Sequence, residues 1–208
     1  ASLAREADAS LDDTLLQFAA GVGAHYYAHQ QGRDVWEKRR YYEEALRYLH
    51  RARPAYDFEP RLFIYLAVSN FRLGNQAQAE ELIERAVELG GQDPDAYYCR
   101  AEIFQHHDVS RSIADLDRYL EMTARLREEG SVVSESKIER VRSMLDHLQA
   151  VERGEVTPTE MFDPTGGGHP LVHIGADPAR FALGTLSIAA FAIAVLALVR
   201  WRRTRGAT

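Results

Sequence analysis

Residues 60–94 read PRLFIYLAVSNFRLGNQAQAEELIERAVELGGQDP. Apolar residues recur at three- and four-residue steps on both sides of Gly74-Asn75, which is helical and not strand spacing. Phe63, Leu66 and Ala67 make a large–large–small set before the turn. Ala79, Ile83 and Ala86 make a small–large–small set after it, and Gly90-Gly91 with Pro94 ends the unit. The stretch is a helix–turn–helix.

The pattern repeats on either side. In DAYYCRAEIFQHHDVSRSIADLDRYLEM (95–122), Tyr97, Ala101 and Phe104 match the first helix, and Ile113, Leu116, Tyr119 and Leu120 form the buried face of the second. A looser copy spans about 14–56. Its second helix carries Tyr41, Ala45, Leu46, Leu49 and Ala52, and its first, around Leu15–Gln30, carries Ala20, Gly23, Tyr26 and Tyr27. The connection through Gly32-Arg33-Asp34-Val35-Trp36 is long, which places Trp36 as a cap on the first turn of a lengthened helix. Beyond the last copy, Ile138, Val141, Leu145 and Leu148 mark an amphipathic helix with one apolar face, suited to closing a stack of repeats. No stretch alternates as a strand does, so the expected fold over 1–151 is all-α.

These three units resemble the tetratricopeptide repeat, whose small and large apolar positions let paired helices cross closely. The resemblance covers about 110 residues and is strongest over 60–94. Asn70 stands where the family usually has tyrosine, Asp108 replaces the turn glycine, and Ser112 takes a small position. It implies a solenoid of about three hairpins plus a capping helix, working as a scaffold whose first helices line a groove for a protein partner. The implied groove residues are Arg61, Ile64, Val68, Phe71 and Arg72, followed by Asp95, Tyr98, Glu102 and Gln105. The family's clamp for a terminal carboxylate is not matched, since its positions here include Tyr65 and Asp95.

After residue 151 the composition changes. Residues 152–177 hold Pro158, Pro164, Pro170 and Gly166-Gly167-Gly168, which read as a linker with a root-mean-square span of about 28 Å. Within it, Leu171–Ile174 is a short apolar patch that suits exposed linker better than a docking segment. Residues 181–199, FALGTLSIAAFAIAVLALV, contain no charge, and as a helix they would cover roughly 28 Å, the thickness of a bilayer core. A transmembrane helix is therefore expected over 178–203, with 204–208 as a basic tail end. Its interface anchors are Arg180, Arg200, Trp201, Arg202 and Arg203.

Charge follows the same division. All 31 acidic residues lie at or before Asp177 with 20 of the 25 basic ones, a net of −11, whereas the remainder carries five arginines and no acid. An acidic body excludes nucleic acid as a partner class, because phosphate binding needs clustered Lys and Arg. The arginine-rich end favours a C-terminus in the cytoplasm of a bacterial inner membrane, with residues 1–177 periplasmic. That topology needs a targeting signal ahead of Ala1; the alternative is a tail anchor with the helical domain in the cytosol.

Nothing assembles into a reaction centre. The hydrophobic fraction of 46% supports a sizeable core, and the single Cys99 excludes an internal disulfide framework or a multi-cysteine zinc site. His25 and His29, four apart, have metal-ligand spacing but stand in an aromatic helix beside Tyr26-Tyr27 and lack a third ligand nearby. His106-His107 reads as a turn, and His169 and His173 as loop residues. Cys99 reads as a buried helix residue, although neighbouring Arg100 could lower a thiol pKa. Glu80, Glu81, Glu84 and Glu88 read as a solvated face, and no nucleophile-elbow, phosphate-loop or HExxH motif is present. The expected protein is non-enzymatic, without cofactor, metal or small-molecule substrate. It is expected to bind protein subunits of a membrane complex and, through its span, lipid. Lys38 and Lys137 are its only lysines, and all other basic residues are arginine.

Overall fold

The computed structural model describes residues 13–156. These form seven helices: α1 (Thr14–Gln30), α2 (Val35–Tyr56), α3 (Pro60–Arg72), α4 (Gln76–Leu89), α5 (Pro94–Phe104), α6 (Val109–Glu128) and α7 (Glu135–Glu152). No strand occurs among the described residues. Helices α1/α2, α3/α4 and α5/α6 pair as hairpins, each hairpin packs on the next, and α7 packs on α6. The repeat expectation for 60–94 and its two neighbours is met by this arrangement. Most of the linker, the expected span over 178–203 and all five of its anchors lie outside the described residues. Among the described residues no helix is long and apolar enough to cross a membrane.

Side-chain caps set most of the helix starts. Asp13, Asp34, Glu59, Asp93, Asp108 and Ser134 each accept from a backbone N–H in the first turn that follows. Pro60 and Pro94 occupy the opening positions of α3 and α5, where a missing N–H costs nothing. The α3–α4 turn is held differently. Asn75 donates from its backbone to Asn70 O (2.9 Å) and from its side chain to Asn70 Oδ1 (3.1 Å), while Asn70 Nδ2 donates to Leu66 O (2.9 Å). The departure from the family's tyrosine at position 70 is thus a polar clasp that ties the turn to its own helix.

The core follows the small and large positions. Leu62, Phe63, Leu66 and Ala67 on α3 pack against Ala79, Leu82, Ile83 and Ala86 on α4, with Ala45, Leu49 and Ala52 from α2 on one side and Ala96 and Ile103 from α5 on the other. A second cluster joins Ala101, Leu116 and Tyr119 to Ile138, Val141, Leu145 and Leu148, so α7 is held by the four residues whose spacing defined it. Ser112 fits its small position because its hydroxyl donates to Ala101 O at 3.1 Å and Asp108 O at 3.0 Å, leaving no unpaired polar atom in the crossing.

Three local expectations change. The close crossing of α1 and α2 falls at Gly21, where a Cβ would lie 2.7 Å from Leu49 Cγ; a Cβ on Gly23 would meet nothing within 4 Å. Trp36 caps nothing: Asp34 does so, and Trp36 is 80% exposed. Glu80 and Glu84 are not a solvated face. Glu84 accepts from Arg100 and Arg111, and Glu80 from Gln76, with His107 Nε2 at 3.3 Å, so both acids join the second hairpin to the third or to its turn.

Candidate protein interaction face

The odd-numbered helices touch one another in succession, α1 with α3 and α3 with α5. Lys137 Nζ on α7 meets Asp95 Oδ1 on α5 at 2.6 Å, which carries the same face one helix further. This inner face is where the expected groove residues should appear.

The structure separates them into two groups. Ile64, Val68 and Phe71 are buried in the central core, and Gln105 is buried with its Nε2 donating to Glu102 O at 3.0 Å. Neighbouring odd helices close over these positions, so they present almost no surface to a partner. The polar members instead bind across the seams between hairpins. Arg61 Nε lies 3.4 Å from Asp93 Oδ2, Arg72 pairs with Glu102, and Asp95 holds Lys137. Tyr98 lies beneath Lys137, whose ammonium is 5.0 Å from the ring centroid, and next to Tyr119 at 5.9 Å.

Several residues on this face were not among those expected. His25 is buried on α1 with Nδ1 3.0 Å from Ser69 Oγ on α3, and the rings of Tyr26, Tyr42 and Tyr65 surround it at 5.1–5.8 Å. Burial, then the nearby His29 and Arg72, push its pKa down to about 3, so the imidazole is neutral. Its hydrogen bond and aromatic packing commit it to structure. The Tyr26 and Tyr65 hydroxyls meet at 3.3 Å. Burial pushes Tyr42 up to about 12, against the lowering effect of nearby Arg72. Burial works against the charge of Arg72, but Glu102, Tyr42 and Tyr98 together outweigh it and raise the guanidinium. Burial, then Glu102, raise the Cys99 thiol, so sulfur is protonated at neutral pH and is no nucleophile.

His29 is exposed, yet it is crowded electrostatically. Burial by its surroundings lowers its pKa, with Arg72, Arg140 and Lys38 acting in the same direction and Glu102 against them.

Residues 60–103 match the tetratricopeptide repeat family model. No curated protein matches the chain. The match covers α3, α4 and nearly all of α5, the helices at the centre of the stack. A tetratricopeptide repeat within described residues that are all helical and loop points to a protein-interaction module, and the coarse expectation of a repeat scaffold that binds protein partners stands on this match and on the hairpin order.

Proposed function

We propose that the chain is a non-enzymatic scaffold subunit of a membrane complex in a bacterial envelope, with its inner face bound to a protein partner and its C-terminal segment spanning the membrane. The observation that carries the reading is the uninterrupted inner face of α1, α3, α5 and α7, built on a tetratricopeptide match and lined by exposed or half-buried polar and aromatic groups. The uncharged run 181–199 followed by Arg200, Trp201, Arg202 and Arg203 supports the span, and the arginines support a periplasmic domain with a cytoplasmic C-terminus.

A photoreactive residue in native membranes tests this. It replaces Tyr26, which is 40% exposed on the inner face, or Glu81, which is exposed on α4. The expected outcome is a crosslinked membrane protein, identified by mass spectrometry, from position 26 and not from position 81. Adducts from position 81 alone, or from neither, refute the inner-face reading. In the same membranes, protease applied to cells with a permeable outer layer should remove the helical domain. Its protection until the inner membrane is opened would reverse the topology.

A further inference from the structure

The first hairpin ends in an aromatic tip. The chain passes from α1 to α2 over residues 31–34, and Gly32 lets it fold back closely: a Cβ there would lie 2.4 Å from Lys38 Cγ and 3.0 Å from Ala28 O. Trp36 stands out from the first turn of α2 at 80% exposure, beside the exposed Val35. Arg40 follows Trp36 by four residues and so shares its side of the helix. The Arg40 guanidinium lies over the Tyr41 ring at 4.8 Å, and Tyr41 meets the exposed Tyr27 of α1 at 4.3 Å between ring centroids. The acids of the tip are occupied. Asp34 Oδ1 accepts from Glu37 N at 2.8 Å and Glu37 Oε2 from Arg33 N at 2.9 Å, so both carboxylates face the N-terminal dipole of α2, which offsets their charge. Arg39 pairs with Glu43 at 3.0 Å. The side chains of Arg33 and Arg40 are exposed and have no ion pair or hydrogen bond among the described residues. The tip is a cationic, aromatic end on a body that carries −11 up to Asp177.

Resting on the reading of the chain as a membrane-attached subunit, we propose that the α1–α2 tip docks on the surface of an anionic bilayer. Trp36 and Val35 enter the interface, and Arg33 and Arg40 meet lipid phosphates. Shape and charge favour this occupant. A protruding side chain fits a yielding surface better than it fits a preformed groove. Tryptophan and tyrosine settle at headgroup level, and arginine can bury its stem in the apolar layer while its guanidinium stays at the phosphates. A second copy meeting the first tip to tip would set the same arginines against each other. The acidic body is repelled by an anionic surface that attracts its cationic end, so the field turns the molecule tip first.

The chain's two tryptophans, Trp36 and Trp201, give separate readouts. The full chain is reconstituted, as Trp201→Phe or as Trp36→Phe, into vesicles of phosphatidylcholine brominated high on the acyl chain, with or without phosphatidylglycerol. In Trp201→Phe with phosphatidylglycerol, Trp36 emission should be quenched by the bromolipid and shielded from acrylamide, and both effects should fade as salt rises. Without the anionic lipid, Trp36 should stay open to acrylamide. Adding Arg33→Gln and Arg40→Gln should lower the ratio of docked to free tips about twenty-five-fold, since each arginine near an anionic surface is worth about fivefold. Arg33→Lys with Arg40→Lys should retain most of the docking, and Arg125→Gln, exposed on α6, should change nothing. Circular dichroism and melting temperature check that each variant is folded. Absence of bromolipid quenching of Trp36 in anionic vesicles, equal quenching in neutral ones, or undiminished quenching in the folded double glutamine variant overturns the proposal. So does shielding from acrylamide without lipid quenching, because protein then covers the tip. Trp201, read in Trp36→Phe, tests the span by itself. Quenching of Trp201 but not of Trp36 removes the docking and leaves the membrane attachment; quenching of Trp36 alone keeps the docking and removes the span; quenching of neither removes both.

Discussion

Phe71→Ala distinguishes a core residue from a groove anchor at one position. As a groove residue, Phe71 could be truncated with little loss of stability. In the structure it is 6% exposed and packed within the cluster of α2, α3, α4 and α5. Truncating a buried phenylalanine costs about 3–5 kcal/mol, from lost transfer energy and from the cavity left behind. The lower end applies here, because Phe71 lies at the end of α3, where neighbouring side chains can relax, and Arg72 covers its ring at 5.6 Å. At about 2.1 cal/mol/K per residue, the 144 described residues give an unfolding entropy near 0.3 kcal/mol/K. A loss of about 3 kcal/mol then lowers the melting temperature by about 10 °C. Thermal unfolding of the full chain in detergent, followed by circular dichroism at 222 nm, measures it. Phe71→Leu, which keeps most of the volume, should lose less than half as much. A melting temperature within 2 °C of the parent protein for Phe71→Ala would refute the packing described for α3.

Ala67→Leu or Ala86→Leu should each destabilise by about 1–3 kcal/mol, because both alanines are fully buried where α3 and α4 meet. Glu81→Ala, exposed on α4, should stay within about 0.5 kcal/mol, and equal denaturation midpoints for all three would disprove the register. His25 links stability to pH. Its folded pKa of about 3 lies below the unfolded value of 6.5, so below pH 6.5 only the unfolded state gains the proton. Its stabilising contribution is complete above that pH and falls as acid is added, by about 2 kcal/mol on reaching pH 5. Urea titrations at pH 7 and 5 should show that loss in the parent protein and a smaller one in His25→Gln; identical pH dependence would place the linkage elsewhere.

The hairpins were legible because their determinants are local. Ala67, Ala79, Ile83 and Ala86 have the spacing of two helices that cross closely, and α7 is held by the four residues of its own apolar face. The inner face was less legible, because its exposure depends on how separate hairpins tilt against each other. Position alone assigned Ile64 and Val68 to a groove, but α3 is packed closely enough on both sides to bury them. Glu84 looked like a solvent-facing acid within α4, since its partners Arg100 and Arg111 are 16 and 27 residues away. Gly21 and Gly23 cannot be told apart from one helix alone; the distinction lies in which of them faces Leu49.

The ion pairs at the seams bear on how such a chain can change over evolutionary time. Arrays of near-identical repeats grow and shrink by copying or dropping a unit, because any unit fits beside any other. Here the boundary between the second and third hairpins is keyed. Arg72 needs Glu102 from the following hairpin, and Arg100, already clasped by Asp115 of its own hairpin at 2.8 and 2.6 Å, reaches back to Glu84 of the preceding one. A duplicated or deleted hairpin would set a half-buried guanidinium or carboxylate against a surface with no counter-charge, at the cost of leaving it desolvated and alone. The second and third hairpins are therefore fixed as neighbours, and at their boundary variation is confined to single positions.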